Sequence, residues 1–196
     1  MCTCDSDFRF RVSDWRTAIA PIIPLEEHSL TLCVDPSFTV RDRSRSGGGN
    51  TSDESAIGIG FTDEEGHLNV LEIVHGRFKG LALPHRVVDV LSAYPSETLK
   101  IERNPNFDLL SDAIRLLATH REVACPRIVP FVPITSKKGR IRRIHSLLVT
   151  AQIHIHNGPF VSDLLEQAQE FCFEDKQNHR HEDGMLDVIA MLANFS

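Results

Sequence analysis

Acidic residues far apart in the sequence fall where a folded chain would concentrate charge. Asp35 follows the apolar run Leu30-Thr31-Leu32-Cys33-Val34 and precedes Pro36. Proline has no N–H to give a sheet ladder, so the strand ends there with Asp35 at its C-terminal end. Glu102 holds the same position after Leu99-Lys100-Ile101. The first and fourth strands of a mixed sheet can be neighbours, and ligands gather at such strand ends. Asp183 opens a final helical segment, and Asp187 follows one turn later on the same face. Carboxylates brought together repel one another and resist ionisation unless cations neutralise them. Hard oxygen ligands of this kind select Mg²⁺ or Mn²⁺. Two such ions about 4 Å apart activate a water and stabilise the leaving oxygen of a phosphodiester. Each acid also has a plainer role open to it: Asp35 as a turn residue before proline, Glu102 as a solvated strand end, Asp183 as a helix N-cap.

Two basic clusters could meet phosphates. Lys137, Lys138, Arg140, Arg142 and Arg143 fall within seven residues, and Arg41, Arg43 and Arg45 share one loop beside Asp35. The first can equally be a solvated helix start, the second a surface loop. Lys137 or Lys138 could also lie close enough to stabilise charge on a scissile phosphate. His154 and His156 alternate on one strand and face the same side, and His179 and His181 flank Arg180. A zinc site needs further Cys or His partners at suitable spacing. None stands out, so no zinc is expected.

The elements that must position these residues change character along the chain. Residues 1–28 read as an arm or linker remnant, with a short apolar patch broken by Pro21 and Pro24. After the first strand comes a Ser/Gly/Arg-rich stretch from Arg43 to Thr51. Ser55–Phe61 and Leu68–Val74, joined by Asp63-Glu64-Glu65-Gly66, complete a three-strand antiparallel meander. Helical spacing at Leu83–Tyr94, Leu109–Ala118 and Arg140–Val149 then alternates with strands at Thr98–Ile101, Arg127–Val132 and Gln152–His156. Helices over Phe160–Phe171 and Met185–Ala193 close the chain. The order implies an α/β domain over residues 29–196: a mixed sheet, three strands antiparallel and later ones parallel, with helices on both faces.

Bulk properties mainly exclude. A chain of 196 residues suits one domain with a real core. No window approaches the roughly 18 apolar residues of a membrane helix, and no basic head with an apolar run marks a secretory signal. Five cysteines at irregular spacing argue against a disulfide framework and for a reducing compartment. The net charge of −6 does not by itself suggest a nucleic-acid binder, so the local basic clusters carry that reading.

The ordered set Leu32-Cys33-Val34-Asp35-Pro36-Ser37, Ser52-Asp53-Glu54-Ser55-Ala56-Ile57, Ile101-Glu102-Arg103-Asn104, Ser136-Lys137-Lys138-Gly139-Arg140 with Arg142-Arg143, and Glu182-Asp183-Gly184-Met185-Leu186-Asp187-Val188-Ile189-Ala190 covers residues 30–193. In order and spacing it resembles the nuclease domain of the large terminase subunit of tailed bacteriophages and herpesviruses. The resemblance implies an RNase H-like fold and a two-metal (Mg²⁺ or Mn²⁺) endonuclease that cuts concatemeric double-stranded DNA during genome packaging. It implies Asp35, Glu102 and Asp183 as catalytic metal ligands, with Asp187 and Asp53 as further ligands or neighbours. Lys137–Arg143 would hold the DNA backbone. Family members often carry an Asp-Asp doublet and a later Asp-Ala at the last helix. Here Gly184 takes the second doublet position and Val188 replaces the Ala, so Asp183 and Asp187 both stand for the third ligand, Asp183 preferred as nearer the helix start.

A complete large terminase has an ATPase domain with a phosphate loop, and no Gly-x-x-x-x-Gly-Lys-Ser/Thr occurs here. The expectation is an excised nuclease domain whose partners would be that packaging ATPase, the small terminase subunit and the portal. It would work in the cytoplasm of an infected host cell. Two other readings stay open: another RNase H-like nuclease, such as a Holliday-junction resolvase or ribonuclease, and an inactive DNA- or protein-binding module.

Overall fold

In a computed structural model, the described residues are 18–20, 28–36, 54–171 and 183–194. The strands are β1 (Ile19–Ala20), β2 (Thr31–Asp35), β3 (Ser55–Thr62), β4 (Leu68–Gly76), β5 (Thr98–Glu102), β6 (Arg127–Phe131) and β7 (Ile153–His156). The helices are α1 (Ala82–Ala93), α2 (Phe107–His120), α3 (Lys137–Val149), α4 (Val161–Glu170) and α5 (Gly184–Leu192). One mixed sheet runs in the order β1-β7-β4-β3-β2-β5-β6. The meander β2–β3–β4 is antiparallel, as expected from its short connections. The pairs β2·β5, β5·β6, β4·β7 and β1·β7 are parallel. Within the stretch read as an arm, Ile19 and Ala20 pair with Ile155 and His156, and Ala18 is buried.

Side-chain alternation sends each strand's residues to two separate cores. Leu32, Val34, Ile57, Ile59, Phe61, Leu99 and Ile101 pack with α1 and α2. Cys33, Ala56, Val70, Ile153 and Ile155 pack with α3, α4 and α5 on the opposite face. The last helix is unusual in that all nine of its residues are buried. A helix apolar around its circumference belongs in a core, and α5 lies across the centre of the sheet against β2, β3 and β4. Gly58 lets it approach: a Cβ there would stand 3.0 Å from Val188 Cγ2. This close seat carries the start of α5 to the end of β2, where Asp35 stands.

Candidate active site

The parallel register of β2 and β5 matches Val34 with Ile101, so the next residues, Asp35 and Glu102, end their strands side by side. The loops beyond are tied together. Asn104 Nδ2 donates to Pro36 O at 3.3 Å, and Asn104 Oδ1 accepts from Asn106 N at 2.9 Å. Arg103 N donates to Phe131 O at 2.8 Å. The two carboxyl groups are held on stiff strand ends, placed so that Asp35, when protonated, can donate to Glu102.

The third contribution comes from α5. Gln167 of α4, itself buried, accepts at Oε1 from Met185 N (2.9 Å) and Leu186 N (3.4 Å), satisfying backbone donors that open the helix. Gly184 sits over β2 and β3; a Cβ there would be 3.2 Å from Glu54 O and 3.7 Å from Asp35 Oδ2. A side chain at this position would crowd the acid end of β2. One turn on, Asp187 is 2% exposed, and its charge acts on Asp35.

Two cations answer these acids. Lys137 Nζ lies 2.6 Å from Asp183 Oδ1 and 2.6 Å from Asp187 Oδ2. Arg140 Nη2 lies 2.9 Å from Asp187 Oδ1, and Arg140 Nη1 donates to Thr135 O at 3.1 Å. Ser136, the N-cap of α3, accepts from Gly139 N at 3.3 Å and so fixes the helix start that presents Lys137 and Arg140. Asp183 makes no side-chain cap bond to α5, so its side chain serves Lys137 rather than the helix end.

The electrostatic balance is uneven. Four carboxylates (Asp35, Glu102, Asp183, Asp187) face two cations, leaving two negative charges when all are ionised. Burial pushes the Asp35 carboxyl well above the usual carboxylate range. The charges of Asp187 and Glu102 and the hydrogen bond that protonated Asp35 donates to Glu102 push the same way, and only Lys137 opposes them. A partly buried set of oxygen ligands that cannot all ionise unaided is chemically suited to a hard divalent cation.

Of the residues singled out from sequence, Asp35, Glu102, Asp187 and Asp183 are thus brought together, and of the two acids at the start of α5 it is Asp187 whose charge acts on Asp35. The basic run at 137–143 divides. Lys137 faces the acids, while Lys138 is half-buried and Arg142 and Arg143 are exposed. Arg140 is a correction to the DNA-contact reading: it is 5% exposed, its guanidinium spent on Asp187 and Thr135. Helical spacing explains the split, since positions 137 and 140 share a face that 138 and 142 do not. Arg41, Arg43, Arg45 and Asp53 lie outside the described residues. Gln167 and Asn104 were not anticipated as positioning groups, and no local pattern marks either.

No protein-family model and no curated protein sequence matches the chain. Solved structures do match in fold. The human cytomegalovirus terminase nuclease domain superposes with a TM-score of 0.65 at 14% identity, covering 95% of this chain and 94% of that one. A manganese-soaked, inhibitor-bound structure of that domain gives 0.62 at 13% identity over 93% and 92%. The large terminase of bacteriophage HK97 gives 0.63 at 12% identity, covering 95% of this chain but 43% of that protein. The yeast mitochondrial Holliday junction resolvase gives 0.55 at 11% identity over 93% and 81%. With its three antiparallel strands, parallel flanking strands and helices on both faces, this chain has the RNase H-like fold of a terminase nuclease domain.

Proposed function

We propose that the chain is the metal-dependent endonuclease domain of a viral large terminase, cutting concatemeric double-stranded DNA during genome packaging in the infected host cell. The observation that carries the proposal is the meeting of half-buried Asp35 and Glu102 with buried Asp187 at one end of a sheet with this fold. Asp35, Glu102 and Asp187 would hold divalent ions, with Asp183 beside them and Asp53 as a further candidate. Two Mg²⁺ or Mn²⁺ ions would supply an activated water and a stabilised leaving oxygen. The manganese-soaked relative supports that choice of ion.

The chain's own residues do the positioning. Asn104 and the β2·β5 ladder fix Asp35 against Glu102, and Gln167 fixes the turn that carries Asp187. Arg140 orients Asp187 by a charge-assisted hydrogen bond. Lys137, its side chain 42% exposed, offers an ammonium at the margin of the acids, within reach of a phosphate oxygen. Arg142 and Arg143 on α3, with Lys138, Arg41, Arg43 and Arg45, would contact the DNA backbone without reading sequence. A packaging ATPase domain, a small terminase subunit and a portal protein would then supply timing and placement.

The test is cleavage of supercoiled plasmid with Mg²⁺ or Mn²⁺, with and without EDTA, beside Asp35→Asn, Glu102→Gln, Asp187→Asn and Asp183→Asn. Metal-dependent nicking lost in the first three variants is the expected result. No cleavage under either metal would leave a binding module instead. A second reading, a junction resolvase, draws on the fold likeness to the yeast enzyme; four-way junctions cut far faster than duplex would favour it.

A further inference from the structure

At the opposite end of β3 from the acids, the chain gathers a ligand set of different chemistry. Asp63 and His67 bracket the turn between β3 and β4, and His154 stands on β7 beside Asn69 of β4 in the parallel register. One ligand atom from each of Asp63, His67 and His154 lies within 4.8 Å of the others. The His67 and His154 rings meet edge to face with centroids 5.3 Å apart. We propose that Asp63, His67 and His154 form a binding site for a borderline transition metal of the Zn²⁺ or Ni²⁺ class, clamping the β3–β4 turn to the start of β7.

The carboxylate is set for the task. Asp63 Oδ1 accepts from His67 N at 2.7 Å, and Oδ2 accepts from Asn69 Nδ2 at 3.1 Å. Slight burial works against its charge, but these hydrogen bonds and the imidazoles of His67 and His154 hold its carboxyl below the usual range. His67 Nδ1 stands 3.7 Å from Asp63 Oδ2. That is too long for a hydrogen bond, but close to the roughly 3.4 Å between two ligands bound at about 2.0–2.1 Å to a tetrahedral ion. No hydrogen bond engages the His154 ring among the described residues, so its lone pair is available.

A second observation points to the same place. Asn69, fully buried, bonds Asp63 through Nδ2, yet its Oδ1 has no hydrogen-bond partner among the described residues. Buried polar atoms are rarely left so. Next on the same face of β7, His156 is 2% exposed with neither ring nitrogen partnered. Asn69, bonded to Asp63, is placed as an outer group that orients a metal's ligand.

Two imidazoles and one carboxylate favour Zn²⁺, Co²⁺, Ni²⁺ or Cu²⁺, whereas the all-oxygen set at Asp35 favours Mg²⁺ or Mn²⁺. Ala56 of β3 pairs with Asp35, and the strand runs on to Thr62. At about 3.3 Å per residue the two sites stand roughly 20 Å apart. An ion here is therefore structural rather than reactive with a phosphodiester bound at Asp35. It would join two segments of the sheet that lie far apart in the sequence.

The experiment is calorimetric titration of the whole chain with Ni²⁺ and Zn²⁺, without DNA, in the parent and in His67→Gln, His154→Gln, Asn69→Ala and Asp35→Asn/Glu102→Gln. The expected result is one ion bound in the parent and in the double acid variant. Binding is lost in both histidine variants and weakened about 10–100-fold in Asn69→Ala. The melting temperature of the parent rises with ion concentration, and that of His67→Gln does not. Binding unchanged in His67→Gln, or abolished in the double acid variant, overturns the proposal. A thiolate charge-transfer band with Co²⁺ would assign the ion to cysteines and overturn it too. Circular dichroism confirms folding; if His154→Gln is unfolded, His67→Gln in the solvent-facing turn decides. The outcome is independent of nuclease activity, which the plasmid assay reads separately.

Discussion

Lys137 Nζ bridges the two acids that open the last helix, 2.6 Å from Asp183 Oδ1 and 2.6 Å from Asp187 Oδ2. Partial burial works against its charge, yet the carboxylates of Asp187 and Asp183 raise the ammonium above the usual lysine range. In the protein without divalent ions, Lys137 is thus a resident counter-charge for the acid cluster. Lys137→Met should lower the melting temperature in EDTA, at a cost on the order of 1–2 kcal/mol. This is less than the ~3–5 kcal/mol of breaking a fully buried pair, because the lysine is 42% exposed. The same variant should gain more stability from Mn²⁺ than the parent does. Equal gains in a thermal-shift titration would contradict the counter-charge role.

Arg140 occupies the harder position. Its guanidinium and the Asp187 carboxylate are both almost wholly buried, 2.9 Å apart. Removing one partner strands the other, so Arg140→Met should destabilise by about 3–5 kcal/mol. Arg140→Lys should recover only part of this, since a point charge cannot serve Asp187 and Thr135 together. In urea unfolding, Arg140→Met/Asp187→Asn should cost clearly less than the two single changes added. Simple additivity would show that the pair is not coupled.

Asp35 predicts the opposite sign on substitution. Burial, then the charges of Asp187 and Glu102, raise its carboxyl well above the value of about 3.9 it has in an unfolded chain. The native state therefore keeps a proton that the unfolded state loses. Stability from this group is fully present below the unfolded value and is lost as pH rises through the folded one. Asp35→Asn holds no charge and escapes that loss. Without divalent ions it should be more stable than the parent at neutral pH, with the difference widening as pH rises from the acid range. Mn²⁺ should stabilise the parent and not the variant. A variant less stable than the parent in EDTA would refute this account.

His75 adds a second pH dependence. Partial burial favours its neutral form, but hydrogen bonds to Glu54 (3.1 Å) and Asp163 (3.0 Å) raise it above the ordinary histidine range. Stability from this bridge is present below about 6.5 and is lost as pH climbs through the raised folded value. Asp35 acts in the same direction, so the comparison belongs in the Asp35→Asn background. There, His75→Gln should flatten the remaining decline in melting temperature above neutrality. An unchanged slope would mean that the bridge is not formed in solution.

What the sequence made legible follows the range of the forces involved. Strand and helix periods are local, so Leu32 and Val34, or Ile57, Ile59 and Phe61, announce their faces directly. Ser55–Thr62 and Ala82–Ala93 fall within a residue of the segments read from pattern. The strand-end acids were legible for the same reason. Whether Asp183 or Asp187 turns toward Asp35 was not, because the rotation of α5 is set by Gln167, Arg140 and Gly58, none adjacent in sequence. Arg140 belonged to a run of positive charge, and only the burial of α3 separates it from Arg142 and Arg143. His67 and His154 meet only because β7 lies parallel beside β4. No spacing rule spans that crossover.

Gly58 offers a test of how tightly packing and the acid site are linked. It lies on β3 under α5, and an added Cβ would stand 3.0 Å from Val188 Cγ2 and 3.1 Å from Val188 Cβ. Val188 follows Asp187 on the helix, so relief of the clash must shift the element that carries the third carboxylate. Overpacking of this kind costs roughly 1–3 kcal/mol. Gly58→Ala should therefore destabilise modestly in urea while reducing metal-dependent nicking more than that loss of folded protein accounts for. Gly58→Ala/Val188→Ala, which removes Cγ2 at 3.0 Å and leaves only the Cβ of residue 188, with more freedom to yield, should restore part of the activity although it opens a cavity. Full nicking activity in a folded Gly58→Ala protein would show that the placement of Asp187 does not depend on this contact.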